Sequence, residues 1–208
     1  MAVVVHYFDS WGRAERIRWL LMTYNIDYTD KFYEWEEWLA ARSKLEFGQL
    51  PAVEIDGHQM IQSLAIERYI ARKINIIPAD PYQEYQVESI LGYFDDLFRH
   101  FANFLIYTSD LQGYIAYYNE ELKDGLKCVE NRIEANGNNG FVVGNSRTLA
   151  DFAVAEFVID VFLSGPRKGT LTPLIEAGNP KIVEFARNFL SNNSKIATRV
   201  QTRGDRDF

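Results

Sequence analysis

Strand-forming sequence is confined to about the first 75 residues, where it alternates with helix-forming sequence. Val3-Val4-Val5 is a continuous apolar run, typical of a strand buried on both faces. An apolar stripe with helical spacing starts at Arg13, and residues 28–33 have the composition of a second strand. Because such crossovers are right-handed and join parallel strands, this opening segment predicts a β-α-β unit.

A hairpin and a further helix complete this part of the chain. Residues 51–55 and 58–61 flank Asp56-Gly57, a dipeptide that strongly favours a two-residue hairpin turn. A Trp-rich helical stretch precedes the hairpin, and an amphipathic helix is predicted over residues 63–73. The predicted order β-α-β-α-β-β-α gives a small mixed sheet flanked by helices.

Beyond residue 83 strand signals nearly vanish and helical periodicity takes over. Apolar residues recur every three or four positions between Phe94 and Leu105, and a second long helix is predicted over residues 114–135. We therefore predict an α/β domain followed by an all-α domain. The predicted bounds are residues 1–77 for the first domain, 78–83 for a linker and 84–208 for the helical domain.

One helix start has a specific signature. Thr148-Leu-Ala-Asp151 is a capping-box pattern, in which the Thr148 hydroxyl caps the helix and the Asp151 carboxylate reaches back to the cap. We expect this pair to serve folding rather than catalysis.

The net charge of −7 argues against nucleic acid or an anionic membrane as a partner. The densest basic cluster, Arg13, Arg16 and Arg18, is mixed with Glu15 and predicts a solvated helix face. No apolar run reaches the roughly 18 residues of a membrane span, and no signal peptide is recognised. With a single cysteine there is no internal disulfide, so a cytoplasmic location is expected.

Neither a metal site nor a bound cofactor is predicted. His6, His58 and His100 lack ligand partners at useful spacing, and phosphate-loop and dinucleotide motifs are absent from the sequence. Cys128 falls on an apolar helical stripe with Leu126, which predicts a core residue rather than a redox thiol.

Three segments in combination carry a family resemblance that none carries alone: residues 7–18 (YFDSWGRAERIR), 47–53 (FGQLPAV) and 62–71 (QSLAIERYIA). They resemble the cytosolic glutathione transferases, most closely the sigma class, and the resemblance covers essentially the whole chain. In that family a thioredoxin-like domain precedes a helical domain, in agreement with the change of pattern described above.

The resemblance assigns a set of residues to glutathione, which acts as a co-substrate and not as a cofactor. Gln62 and Ser63 stand at a helix N-terminus, whose N–H groups and dipole suit the γ-glutamyl carboxylate. The Leu50–Pro51 bond is cis in the family and exposes the Leu50 backbone for pairing with the cysteinyl part. The residues matched to the glycyl end are Trp38, Arg42 and Gln49.

Catalysis in this family requires the glutathione thiolate. A free thiol has a pKa near 8.5, and a hydrogen-bond donor aimed at the sulfur favours the charged form. A neutral tyrosine hydroxyl can donate in this way. The resemblance assigns that role to Tyr7 and electrostatic support to Arg13, with Ser10 as the rival donor because some classes use serine.

The helical domain is expected to complete the site. In the family an aspartate of the partner subunit reaches the γ-glutamyl amine, which implies a homodimer with Asp96 in this role and Asp95 as the alternative. The same pair is similar to the divalent-cation site of sigma-class prostaglandin D synthases, although two carboxylates are too few to predict a metal. Residues expected around the hydrophobic electrophile are Phe8, Phe101, Phe104 and Tyr107.

The predicted function is conjugation of the glutathione thiolate to small hydrophobic electrophiles. Reduction of organic peroxides is the additional activity that we expect the same site to support. Isomerisation of a lipid endoperoxide would use the same thiol-site residues. A non-catalytic relative, such as a lens-crystallin-like protein, is the remaining alternative. The complete set of predicted glutathione residues argues against it, because a structural role requires no thiol site.

Overall fold

The computed structural model describes residues 3–203, which divide into two compact units, one ending at Asn75 and the other beginning at Ile76. The first unit contains a four-stranded mixed sheet with helices, and the second is helical. The predicted fold class, a thioredoxin-like domain followed by an all-α domain, is confirmed. The elements of the first unit are β1 (Val3–Tyr7), α1 (Glu15–Thr23), β2 (Tyr28–Phe32), α2 (Trp35–Ala41), β3 (Ala52–Ile55), β4 (His58–Ile61) and α3 (Ser63–Lys73).

The sheet has the strand order β2-β1-β3-β4. β1 and β2 are parallel, with Val3 opposite Tyr28, as the β-α-β interpretation predicts. β3 and β4 are antiparallel, and their turn residues Asp56 and Gly57 have φ values of 55° and 78°. Positive φ at both positions matches the twist of the strands, which explains the choice of Asp-Gly.

β1 occupies the interior of the sheet between β2 and β3. Its side chains alternate between the two faces, so Val3, Val5 and Tyr7 share one face while His6 lies on the other. All four of these residues are buried. The strand thus brings Tyr7 to the end of the sheet, where it pairs with Phe32 of β2 directly after a stretch paired on both sides.

The second unit packs around one fully buried helix. Every residue of Leu149–Val158 is buried, and this helix packs against the helices that begin at Pro81 and Pro180. Edge-to-face ring pairs, Phe94 with Phe157 and Phe152 with Phe189, join it to both neighbours. The elements are α4 (Pro81–Phe101), α5 (Leu111–Tyr117), α6 (Lys123–Ala135), α7 (Leu149–Val158), α8 (Lys168–Gly178), α9 (Pro180–Ser191) and α10 (Ser194–Thr202).

Short π-helical turns continue three of these helices. They follow α4 at residues 102–107, α5 at 118–122 and α7 at 159–163. The second turn joins α5 to α6, so the long helix predicted over residues 114–135 is one helical stretch from Leu111 to Ala135. α4 begins at Pro81, inside the predicted linker.

The predicted capping box at the start of α7 is present. The Thr148 side chain accepts from the N–H of Asp151, and the Asp151 carboxylate accepts from the N–H of Thr148 at 2.6 Å. The other carboxylate oxygen accepts from the N–H of Val142 at 2.7 Å. Asp151 therefore joins the helix start to the preceding turn as well as capping it.

The prediction that Cys128 lies in the core is wrong, because its side chain is exposed. The buried stripe of α6 contains Leu126, Val129 and Ile133. At 100° per residue, position 128 is rotated about 200° from Leu126 and points away from that stripe. Cys128 is an apolar residue that lies between the stripe positions and is not a member of the stripe.

No helix within residues 3–203 has both the length and the apolarity needed to cross a bilayer. Across that same span, no group of three or more His, Cys, Asp or Glu side chains is arranged to hold a metal ion.

Candidate functional site

Tyr7 is held through its hydroxyl group at the end of β1. The main-chain N–H of Arg13 donates to the Tyr7 hydroxyl oxygen at 3.1 Å. Tyr7 is 8% exposed, so the ring is enclosed, and the bond joins its polar end to the short 3-10 turn that precedes α1. Because the oxygen uses a lone pair for this bond, the hydroxyl proton is the part that can be donated to another atom.

The loop between Tyr7 and Arg13 is held by Arg18. Its Nη1 donates to the carbonyl oxygens of Ser10 at 2.8 Å and Trp11 at 3.4 Å, and its guanidinium carbon lies 5.8 Å from the centroid of the Tyr7 ring. Glu15 at 3.2 Å and Asp30 at 2.8 Å balance the charge of Arg18, whose side chain has no exposed surface.

The expectation of a solvated basic cluster is therefore wrong for two of its three arginines. Arg16 is 9% exposed and Arg18 is fully buried, while Arg13 is half-buried. Arg16 Nε lies 2.9 Å from Glu67 Oε2, which joins α1 to α3 by an ion pair inside the protein. Burial raises the pKa of Glu67, and the guanidinium of Arg16 opposes that shift in part. Buried charges of this kind require partners, and each arginine has one.

Gln62 and Ser63 form the start of α3. Gln62 has a φ of 73° and a ψ of 105°, a region that non-glycine residues rarely occupy and that is enriched at functional sites. Its side-chain amide donates to Gln49 Oε1 at 2.8 Å, so two predicted glutathione residues are in contact. Ser63 is buried and occupies the first turn of the helix, where main-chain N–H groups lack intrahelical acceptors.

The Leu50–Pro51 peptide bond is cis, as the resemblance implies. Leu50 is half-buried and Pro51 is buried at the start of the hairpin. Within the described residues 3–203, the main chain of Leu50 makes no hydrogen bond. Its N–H and C=O therefore remain available for an extended peptide.

Trp38 is the only buried residue of α2, a seven-residue helix. Its ring meets Phe8 edge-on at 6.3 Å and Tyr33 edge-on at 6.2 Å. Arg42 lies exposed in the short 3-10 turn that follows this helix. The structure thus assembles two groups of predicted residues in the first unit, Tyr7 with Arg13 and Gln49 with Gln62, and packs Trp38 on Phe8.

The remaining predicted residues belong to the helical unit. Asp95 is buried and pairs with Arg99 at 2.6 Å, whereas Asp96 is exposed and lies 3.4 Å from the same arginine. Phe101 is buried, Phe104 is half-buried and Tyr107 is 80% exposed. Phe101 therefore belongs to the core of its unit, and Tyr107 presents its ring to solvent.

The sequence did not identify Arg18, Tyr33 or His6 as residues that support the site. Arg18 holds the loop after Tyr7, Tyr33 donates to the carbonyl of Tyr7, and His6 contacts the Tyr33 hydroxyl. A local signal existed for Arg18, because Glu15 precedes it by three positions on the same helix face. For His6 and Tyr33 the sequence offers no such signal, since they are 27 positions apart and meet only through the parallel pairing of β1 and β2.

Comparison with known proteins agrees with these features. The model for the glutathione S-transferase N-terminal domain matches residues 3–72, and the model for the C-terminal domain matches residues 80–199. Glutathione S-transferase 4 of Caenorhabditis elegans is 30% identical, with 96% of this chain and 95% of the relative covered. A glutathione S-transferase of Antechinus stuartii is also 30% identical, with 92% of this chain and 89% of the relative covered.

Solved structures show the same likeness. A Nu-class glutathione transferase of Haemonchus contortus is 30% identical, with a TM-score of 0.83 over 100% of this chain and 99% of that one. The glutathione S-transferase Na-GST-3 of the hookworm Necator americanus is 27% identical, with a TM-score of 0.84 and full coverage of both chains. The matches to both domains and to full-length relatives show that this chain belongs to the glutathione S-transferase family of enzymes.

Proposed function

We propose that this enzyme conjugates the glutathione thiolate to small hydrophobic electrophiles, with Tyr7 as the donor to sulfur. The observation that carries the proposal is the 3.1 Å bond from the Arg13 N–H to the Tyr7 hydroxyl oxygen. It fixes the hydroxyl as an acceptor on one side, so that its proton serves the sulfur on another. Donation to the charged form lowers the pKa of the bound thiol, and the positive field of Arg13 acts in the same direction.

The rest of the tripeptide has matching partners in this proposal. The start of α3 at Ser63 receives the γ-glutamyl carboxylate, and the main chain of Leu50 pairs with the cysteinyl part. Trp38 and Arg42 hold the glycyl end, with Gln49 fixed by Gln62.

Tyr7→Phe tests the catalytic role. Because a hydrogen bond to a charged group is worth about 1.5–3 kcal/mol, we expect kcat to fall about 10- to 150-fold. The Kd for glutathione, measured by calorimetry, should stay within about twofold because the carboxylate and backbone contacts remain. The substrates are a panel of aryl halides, unsaturated carbonyls and organic hydroperoxides.

Ser10→Ala is the matched control, since Ser10 is the rival donor. The main-chain groups of Ser10 bond to Phe8 and Arg18, and alanine keeps both bonds. We expect nearly unchanged turnover in this variant. Full activity of Tyr7→Phe together with a large loss in Ser10→Ala would reverse the assignment, and failure of the unaltered enzyme to bind glutathione would favour a non-catalytic relative.

The sigma-class assignment is the finer part of the proposal, and it rests on the sequence motifs. Relatives at the same 30% identity include the Nu-class enzyme and a class-mu isozyme of Schistosoma mansoni. Activity toward hydroperoxides is decided by the substrate panel, and a lipid endoperoxide added to that panel tests the isomerase activity.

A cytoplasmic homodimer completes the proposal. Asp96, with its exposed carboxylate, is better suited than the buried Asp95 to reach glutathione bound by a second subunit. The hookworm relative Na-GST-3 is described as monomeric, so the assembly needs its own measurement. Light scattering should give twice the 24.1 kDa chain mass. A mass of one chain would remove Asp96 from the glutathione site.

A further inference from the structure

Tyr33 connects two predicted site residues of the first unit. It directly follows β2, and its N–H donates to the carbonyl oxygen of Tyr7 at 3.0 Å. Its ring packs edge-on against Trp38, with centroids 6.2 Å apart and an interplanar angle of 73°. One residue thus contacts both the strand end that carries the predicted thiol donor and the ring expected at the glycyl end of glutathione.

The ring of Tyr33 is fixed in turn by His6. His6 Nδ1 lies 2.9 Å from the Tyr33 hydroxyl oxygen, and the two rings stack at 5.9 Å with an angle of 27°. His6 Nε2 lies 3.2 Å from Glu54 Oε1. Burial lowers the pKa of His6, and the positive charge of Lys31 lowers it further. The negative charge of Glu54 raises the pKa and offsets part of this shift. When the imidazole is neutral and carries its proton on Nε2, the side that faces Glu54, Nδ1 accepts a hydrogen bond from the Tyr33 hydroxyl.

The contact between Tyr33 and Trp38 helps to position α2. Trp38 is its only buried residue, and the rings against Trp38 are those of Phe8 and Tyr33. Phe8 also packs at 6.2 Å against Trp35, which is itself 59% exposed. A shift of the Tyr33 ring therefore moves Trp38, and with it the turn that carries Arg42.

We propose that His6 and Tyr33 are positioning residues that hold Trp38 and the following turn in the arrangement that binds the glycyl end of glutathione. The inference rests on the glutathione-binding role proposed above. The proposal gives the sulfur to the Tyr7 hydroxyl and assigns neither His6 nor Tyr33 a contact with it. The hydroxyl of Tyr7 is held separately by the N–H of Arg13, so the pair should govern glutathione affinity and leave the chemical step alone.

Tyr33→Phe is the first test, since it removes the bond to His6 and keeps the ring. A neutral hydrogen bond corresponds to about a 2- to 12-fold change in an equilibrium constant, so we expect the Kd and KM for glutathione to rise by that factor. The kcat should stay within about twofold. Tyr69→Phe is the matched control, because it removes the hydroxyl that donates to Asp56 at 2.7 Å in the hairpin turn and should leave the Kd unchanged.

A double-mutant cycle distinguishes a specific interaction between His6 and Tyr33 from a general destabilisation of the sheet. His6→Leu removes the acceptor, and in the double variant with Tyr33→Phe the losses in affinity should overlap rather than multiply. His6→Asn places an amide oxygen near the position of Nδ1 and should recover part of the affinity.

The outcomes are distinct from those of the proposed function. If the unaltered enzyme fails to bind glutathione in calorimetry, the proposed function fails. If it binds and Tyr33→Phe binds equally well, or loses kcat at an unchanged KM, the positioning role is refuted. Independent, multiplying effects of the two single substitutions would also overturn it. Should His6→Leu fail to fold, the result of Tyr33→Phe decides alone.

Discussion

Loss of the Arg16 side chain should destabilise the first unit far more than the loss of an exposed ion pair. Arg16 Nε and Glu67 Oε2 are 2.9 Å apart, the Arg16 side chain is 11% exposed, and that of Glu67 has no exposed surface. The pair joins α1, which follows the loop after Tyr7, to α3, which begins at Ser63. Arg16→Met keeps much of the length and apolar volume of the side chain while leaving the carboxylate of Glu67 without its cation.

The expected loss follows from burial. Removing one partner of a buried pair costs about 3–5 kcal/mol, because the other charge remains away from water. Exposed pairs are worth about 0–1 kcal/mol. Lys73 and Asp56, also in the first unit, form such a pair, with Lys73 side-chain exposure of 41%. Lys73→Met is therefore the matched control, and it should lose clearly less stability than Arg16→Met.

The pH dependence gives an independent check. Burial raises the pKa of Glu67 above its ordinary value of 4.5, and removal of Arg16 removes an interaction that lowers it. A carboxyl group whose pKa is higher in the folded state stabilises the fold when protonated. That stability is lost as pH rises above 4.5 and through the folded-state pKa. The deficit of Arg16→Met should therefore be smallest near pH 4.5 and grow toward neutrality.

Urea unfolding followed by tryptophan fluorescence measures these free energies. The double variant Arg16→Met with Glu67→Leu should recover most of the loss, since replacing both charges by apolar side chains leaves neither one unpaired. A deficit of Arg16→Met no larger than that of Lys73→Met, or a double variant as unstable as the single one at pH 7, would refute the reasoning.

Three further predictions concern the helical unit. Thr148→Ala should lower the free energy of unfolding by about 1 kcal/mol in urea titrations, because it removes a helix cap, and Thr148→Ser should not. Burial raises the pKa of Asp151 from 3.8 to about 6. The free energy of unfolding of the enzyme, compared with that of Asp151→Asn, should therefore fall as the pH rises from 3.8 to about 6. A difference between the two proteins that stays constant over this range would contradict the shift. Gly125→Ala should lower the melting temperature because its Cβ would meet the Tyr93 hydroxyl, whereas Gly92→Ala meets nothing and should raise it.

The elements with strong periodic or turn signals were predictable from the sequence. The helix over residues 63–73 has the predicted bounds, and Asp56-Gly57 forms the predicted hairpin turn. These features depend on short-range patterns, which a single sequence displays directly. The assignment of Cys128 failed for a related reason, since an apolar stripe predicts its own members but not the side chains between them.

The candidate site was predictable only in part, because its residues come together through the fold. The family motifs identified Tyr7, Gln49 and Gln62, and their roles stay predictions until glutathione binding is measured. No pattern in the sequence places Gln49 beside Gln62, which are 13 positions apart. Their contact requires the hairpin to bring β4, and therefore the start of α3, back beside the segment that precedes β3.

The buried arginines show why polar support of a site escapes sequence patterns. A charged residue indicates a surface position, so Arg18 on an amphipathic helix predicts solvent exposure. Its burial depends on Asp30, which lies opposite Val5 in the parallel pairing of β1 and β2. In the loop after Tyr7, the carbonyl of Phe8 accepts from the N–H of Ser10, whereas the carbonyls of Ser10 and Trp11 accept from a donor outside the loop. That donor is the guanidinium of Arg18, whose charge is kept inside the protein by Glu15 on the same helix and by Asp30 on β2.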